Sequence, residues 1–240
     1  MRVLEKGRLR ARLAEGPEDL ARAQALRHLC FRGRPGLDVD AFDARCRHVL
    51  VEDAGSGEIL CAFRLLALPD ATALAASYAG QFYDLSRMAL RFPVVEMGRF
   101  CIAPGQADPD VPRLAWAAMT RIVDAEGYGV MTGCTSFTGA DPARHGAALA
   151  ALGPFAAADG QGPGRLAPEV VRLADLPLPS NLRAALAGLP PVLRSYLGMG
   201  GWVSDHAVID RDLDTLHVFT AVEVARVPAA RARALRALAG

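Results

Sequence analysis

Two arginines sit where the chain is otherwise apolar. Stepping a helix at about 100° per residue places Arg27 on one stripe with Leu20, Ala23, Cys30 and Phe31. Arg64 interrupts the apolar run of residues 59–66. Buried guanidinium groups require carboxylates or a bound anion to offset desolvation, so this pattern predicts either structural ion pairs or a polar pocket. The apolar stretch 94–102 carries Glu96 and Arg99. Strict strand alternation sends them to opposite faces, whereas a bulge at Met97-Gly98 turns both to one side and frees a backbone N–H. A carboxylate placed there can take a proton from an attacking amine, directly or through a water, while the N–H polarises a carbonyl. The alternative is that Glu96 neutralises Arg27 or Arg64. Asp40 and Asp43 add two carboxylates in a loop, where acids are commonly solvated caps. His145 reads as a satisfied surface or core histidine, and Cys101 and Cys134 read as packing residues, with no histidine spaced to activate either thiol.

Composition limits what these residues can serve. In 240 residues, 27 Lys+Arg stand against 26 Asp+Glu, a net charge of +1, so there is no overall basic field to wrap a nucleic acid. The five cysteines are widely spaced without a C-x-x-C, which indicates neither a disulfide framework nor a metal site and suits a cytoplasmic protein. Residues 1–8 run straight into charge with no apolar leader, and no later stretch reaches the length of a membrane span.

The elements that must position these side chains can be read from periodicity and punctuation. A half-buried strand covers residues 8–14 and a helix runs from Pro17 to about Phe31, ended by Gly33. A hairpin follows, 48–53 and 59–68 about the turn Gly55-Ser-Gly57. Strand 94–102, the loop 104–112, an amphipathic helix 113–126 and strand 129–137 together predict a parallel βαβ crossover. A short helix capped by Asp141 is expected to reach about Leu152, then a small-residue loop at 156–164. Strands at 170–173, 202–209 and 216–224, a helix at 190–197 and a basic helical tail at 226–240 complete the chain. These elements predict a single α/β domain over residues 1–240, with its last strands returning to the same mixed sheet.

The ordered set Arg27-x-x-x-Phe31, Asp40-x-x-Asp43, Arg64 and Glu96-x-x-Arg99-Phe100 resembles the acyl-homoserine-lactone (autoinducer) synthases. The chain is more similar still to a sister group, the ornithine N-acyltransferases of ornithine-lipid synthesis, through Ala25-Leu-Arg27, Phe42-Asp43, Phe63-Arg-Leu-Leu66, Glu96-Met-Gly-Arg99, Gly133-Cys-x-Ser-Phe137, and Leu189-Pro-Pro-Val-Leu-Arg-Ser-Tyr-Leu197 with Gly200. The resemblance covers residues 8–225. It implies a GNAT-like mixed sheet flanked by helices. It also implies transfer of a 3-hydroxyacyl chain from acyl carrier protein (ACP), as its phosphopantetheine thioester, to the α-amino group of L-ornithine, giving lyso-ornithine lipid. By the same resemblance Glu96 is the base, Arg27, Phe31, Asp40, Asp43, Arg64 and Arg99 form the substrate site, and no metal is required. Glutamine is the alternative acceptor, and an acetyl-CoA-dependent GNAT acetyltransferase is a more distant one.

One departure bears on the donor. Acetyl-CoA enzymes of this fold usually follow the Glu96 strand with a glycine loop that cradles pyrophosphate, but residues 104–112 carry Asp108 and Asp110 instead. Two aspartates repel a pyrophosphate. A carrier protein brings an acidic surface, which makes Arg113, Arg121 and Arg144 its expected contacts. A membrane-lytic protein would need a long inserting segment, and the sequence has none. The tail, with Arg226, Arg231, Arg233 and Arg236 and no acid, is expected to form a small helix on the domain or a weak peripheral contact with the inner membrane.

Overall fold

A computed structural model of the chain describes residues 3–158 and 160–239. Residue 159 of the expected loop, the last residue of the expected tail and the first two residues of the chain lie outside the described residues. In chain order the strands and α-helices are β1 (Leu4–Lys6), β2 (Leu9–Leu13), α1 (Gly16–Arg32), β3 (Arg47–Asp53), β4 (Ile59–Leu68), α2 (Ala71–Ala75), β5 (Tyr83–Asp84), β6 (Val94–Ile102), α3 (Asp110–Glu126), β7 (Val130–Thr138), α4 (Gly146–Ala150), β8 (Gly164–Arg165), β9 (Val170–Arg172), α5 (Leu182–Ala187), α6 (Pro191–Gly198), β10 (Trp202–Val203), β11 (His206–Asp210), β12 (Thr215–Glu223) and α7 (Ala229–Ala239). They fall into two compact units. The first comprises residues 1–67, 97–128 and 229–240, the second residues 68–96 and 129–228, so β6 divides between Glu96 and Met97.

In the first unit β1, β2, β3 and β4 form an antiparallel meander. The later half of β6 runs on beside β4, where the Ala103 N–H donates to the Leu60 carbonyl at 2.9 Å. In β2 the alternation is resolved by burial: Leu9 and Ala11 point into the core, while Arg10 and Arg12 both donate to the buried Glu52 carboxylate. Helices cover both faces. α1 packs Ala23 and Leu26 onto Leu50, Ala62 and Cys101, and α3 stacks Trp116 on Phe100, which in turn stacks on Phe63. The buried residues of α1 also include Asp19, Gln24 and Arg27, so this helix is only weakly amphipathic. α3 begins a turn earlier than expected, because Asp108 accepts the Asp110 N–H at 2.9 Å and Pro112 is tolerated in a first turn whose N–H groups have no helical partners.

In the second unit Val94–Glu96 of β6 pairs in parallel with β7, from Val94↔Val130 to Glu96↔Thr132, while β7, β12, β11 and β9 are antiparallel neighbours. The mixed sheet expected from the βαβ pattern is therefore present. Its core gathers Phe137, Leu149, Leu152, Leu193, Val203, Leu216 and Val218. Two expected elements are interrupted. Strand 202–209 breaks at Ser204, whose hydroxyl donates to the His206 carbonyl at 2.6 Å, leaving β10 and β11. The helix after Asp141 splits into a single-turn helix at Pro142–Arg144 and the separate α4.

Candidate active site

Three arginines and three aspartates in the first unit alternate around a closed ring. Arg27, from the buried face of α1, gives Nε to Asp38 at 2.8 Å and Nη1 to Asp43 at 2.7 Å. Its Nη2 also lies 2.7 Å from Asp38, as an ion contact without hydrogen-bond geometry. Arg64, from β4, shares Nη1 between Asp43 at 2.7 Å and Asp40 at 2.5 Å, and its Nη2 reaches Asp40 at 2.7 Å. Arg99, from β6, closes the ring with Nε to Asp38 at 2.9 Å and Nη2 to Asp40 at 3.2 Å. Each cation bridges two anions and each anion two cations, so six desolvated charges sum to zero. Two aromatic faces support it, Phe31 beneath Arg99 at 5.8 Å and Phe42 beneath Arg64 at 5.7 Å.

Burial is uneven around the ring. The Arg27 side chain is 1% exposed and that of Asp43 5%, but that of Asp40 is 22% exposed, so the ring meets solvent at Asp40. Burial alone pushes the Asp43 carboxyl up. The hydrogen bond and charge of Arg27, with Gln24 and Arg64, outweigh it and hold the group well below the usual carboxylate range. Asp40 follows the same balance with a net downward shift, burial opposed by Arg64, the Phe42 N–H and Arg99. His48 places Nε2 3.1 Å from the Asp43 carbonyl, and burial lowers its pKa, so it adds no further cation at neutral pH.

The sequence predicted Arg27, Phe31, Asp40, Asp43, Arg64 and Arg99, and all six meet in this ring or beneath it. Asp38 escaped the reading although it stands two residues from Asp40, the spacing that puts two side chains on one side of an extended segment. Asp40 and Asp43, which the resemblance places in the substrate site, are both bonded to arginines. The backbone turns left-handed one residue past the Met97-Gly98 step. The left-handed residue is Arg99, with φ 54°, rather than Gly98. A side-chain-bearing residue there costs about 1–2 kcal/mol, and the bonds from Arg99 to Asp38 and Asp40 hold it in place.

In the second unit the Glu96 carboxylate is 4% exposed and fixed by backbone, accepting the Tyr78 N–H on Oε2 at 3.0 Å and the Ala79 N–H on Oε1 at 2.8 Å. Those amides open a single turn of helix at Ala79–Gln81, a feature without a sequence signal. Within the first unit, Arg27 and Arg64 bond to Asp38, Asp40 and Asp43. Across the parallel pair stands Thr132, fully buried, whose hydroxyl finds no hydrogen-bond partner among the described residues. Tyr196 of α6 is buried too. Burial first, then the nearby charge of Glu96 and the Cys134 thiol, push its pKa up, so it keeps its proton at neutral pH. Tyr196 was visible in sequence only as part of the segment 189–197.

The arginines expected to meet a carrier protein have mixed fates. Arg113 donates to Asp110 at 3.0 Å, where Lys6 also binds at 2.8 Å, Arg121 is half-buried on α3, and Arg144 is exposed in the second unit. His145 caps the Thr138 carbonyl at 3.0 Å, and the buried Cys101 thiol turns to the Ala62 carbonyl at 3.6 Å.

Comparison with known proteins adds to this geometry. Residues 26–117 match the acetyltransferase (GNAT) domain family. The L-ornithine N(alpha)-acyltransferase of Rhizobium meliloti (strain 1021) is 30% identical over 240 residues, covering 91% of this chain and 81% of its own. That of Brucella abortus (strain 2308) is 30% identical over 243 residues, covering 92% and 86%. A solved CoA-dependent acyl-homoserine lactone synthase, BjaI with MTA, superposes with a TM-score of 0.51 at 12% identity, over 91% of this chain and 80% of that one. The last likeness concerns the fold, a GNAT-like, autoinducer-synthase-like sheet.

Proposed function

The chain belongs to the L-ornithine N(alpha)-acyltransferase family, and we propose that it transfers a 3-hydroxyacyl group from acyl carrier protein to the α-amino group of L-ornithine, giving lyso-ornithine lipid. The observation that carries the reading is Glu96, a buried carboxylate oriented by two backbone N–H groups. In the reaction the ornithine α-ammonium gives a proton to Glu96, directly or through a water. The freed amine attacks the thioester carbonyl, a C–N bond forms, and the C–S bond breaks as the tetrahedral intermediate collapses. The departing thiolate needs a proton. The nitrogen of the intermediate carries one proton more than the amide product, and that proton passes to the thiolate, directly or through a water.

For the donor, the support lies at the start of α3. Its first N–H is already taken by Asp108, and Asp110 in the same turn binds Lys6 and Arg113, so the chain's own carboxylates stand where a pyrophosphate would be cradled. A phosphopantetheine arm presents a single phosphodiester and needs no such cradle. For the acceptor, the support is the pair of L-ornithine N(alpha)-acyltransferases that are each 30% identical over more than nine-tenths of this chain. The test is the product mass formed by the purified chain from acyl-ACP or acyl-CoA of equal length with a panel of amino acids. N-acyl-ornithine formed far faster from acyl-ACP is expected. Acyl-glutamine without acyl-ornithine would move the acceptor and keep the reaction class, and equal rates with both donors would remove the carrier protein.

A further inference from the structure

The segment after α1 doubles back along that helix. His28 Nδ1 lies 2.9 Å from the Arg34 carbonyl, and the Asp38 N–H donates to the Gln24 carbonyl at 3.1 Å. Gly36 makes the close approach possible: a Cβ there would lie 2.5 Å from the His28 ring, and its φ of 158° suits glycine. From this return the extended chain alternates. Asp38 and Asp40 turn inward to the arginines of the ring, and Leu37 and Val39 therefore turn outward, 55% and 64% exposed. Leu29, at 37%, is exposed on the helix that the segment follows. Of the large aliphatic side chains exposed among the described residues, these three fall within eleven positions of sequence.

Within the segment itself the exposed charge has one sign. Between His28 and Val39 the chain holds two exposed arginines, Arg32 and Arg34, and its one acid, Asp38, is buried in the ring. We propose that this strap, residues 29–39, is a peripheral docking surface for an anionic phospholipid bilayer, with Leu37 and Val39 entering the interface and Arg34 at the headgroups. The inference rests on the functional reading above, in which the product is a single-chain lipid that must enter a membrane. The ring fixes the backbone on the inner side of the strap, so its aliphatic side chains are presented with little further ordering cost. Aliphatic side chains projecting from an extended segment beside a cation match shallow immersion in a charged interface. An acidic protein helix would instead call for a longer row of cations. The C-terminal helix is the weaker candidate for this contact: α7 buries Leu235 and Ala239, and its Arg236 is committed to Asp124 at 2.8 and 3.0 Å.

Vesicle co-sedimentation of the full chain at low salt tests the surface. Binding to phosphatidylcholine–phosphatidylglycerol vesicles should clearly exceed binding to phosphatidylcholine alone. Leu37→Ser with Val39→Ser should lower the partition coefficient about tenfold, since two partly immersed aliphatic side chains are lost. Arg34→Glu should lower it about fivefold or more, and Arg231→Glu with Arg233→Glu on α7 should leave it within about twofold. The strap positions are exposed, and an unchanged thermal midpoint confirms folding. Binding that survives both strap variants, or that only the α7 variant abolishes, overturns the proposal. Strap variants that keep vesicle binding but lose use of acyl-ACP would assign the surface to the carrier protein instead. Vesicle binding needs no turnover, so a chain that binds vesicles but acylates no ornithine would overturn the catalytic reading alone.

Discussion

Replacing Asp43 by Asn preserves side-chain size and removes one of the three negative charges of the ring. The two Nη1 atoms that lean on Oδ1, from Arg27 and Arg64, are both 2.7 Å away, and Gln24 donates to Oδ2 at 2.9 Å. An amide oxygen can still accept from the two cations, but the ring is left with a net positive charge among side chains that are 1% and 3% exposed. Breaking a buried ion pair costs about 3–5 kcal/mol. With the hydrogen bonds partly kept, the lower end applies, and about 3 kcal/mol in a chain of this length is a fall of about 6–12 °C in Tm. Asp43 is held below its unfolded pKa, so its contribution is complete above that value, about 3.9, and is lost as pH falls through the folded value. Thermal unfolding of Asp43→Asn beside the native chain, from about pH 7 to about pH 3, should therefore show a wide gap that is steady near neutrality and narrows below about pH 4. A gap under about 2 °C at neutral pH, or one that does not narrow in acid, refutes the claim that the ring is held by its charges.

Asp40→Asn should cost far less stability, about 1 kcal/mol, because solvent screens this corner of the ring. Its fall in Tm should stay at about 2–4 °C, and a loss as large as that of Asp43→Asn would refute the uneven burial of the ring. Glu96→Gln should lower kcat by about 10²–10⁴-fold, since an amide cannot take the ammonium proton. A near-native rate with an unchanged circular-dichroism spectrum would end its role as base.

Much of the fold was legible because its signals are local. The strand 94–102, the hairpin 48–68 and the crossover through α3 follow from apolar runs, glycine punctuation and period. The misses share another origin. β1 has only three residues, and the two-residue strands β5 and β8 pair with each other, so their pairing depends on segments distant in sequence. Strand 202–209 looks continuous because the Ser204 side chain, which satisfies the His206 carbonyl and the Phe219 N–H there, acts by tertiary contact.

The site divides in the same way. Arg27 and Arg64 declared themselves as charges in apolar contexts, which fixes that partners must exist but not which ones. The alternation Leu37, Asp38, Val39, Asp40 was equally on the page, yet it becomes informative only once the segment is known to lie along α1 through the Gln24 carbonyl and the His28 ring. The left-handed residue follows the same logic. A glycine at position 98 is the local choice for a left-handed residue, yet Gly98 is not among the residues with positive φ. Arg99 adopts φ 54° instead, and its guanidinium bridges Asp38 and Asp40. Local preference is overridden because two charge-assisted hydrogen bonds, at about 1.5–3 kcal/mol each, exceed the cost of about 1–2 kcal/mol for that backbone conformation. The same comparison explains why an arginine can occupy a position that propensity alone would give to glycine.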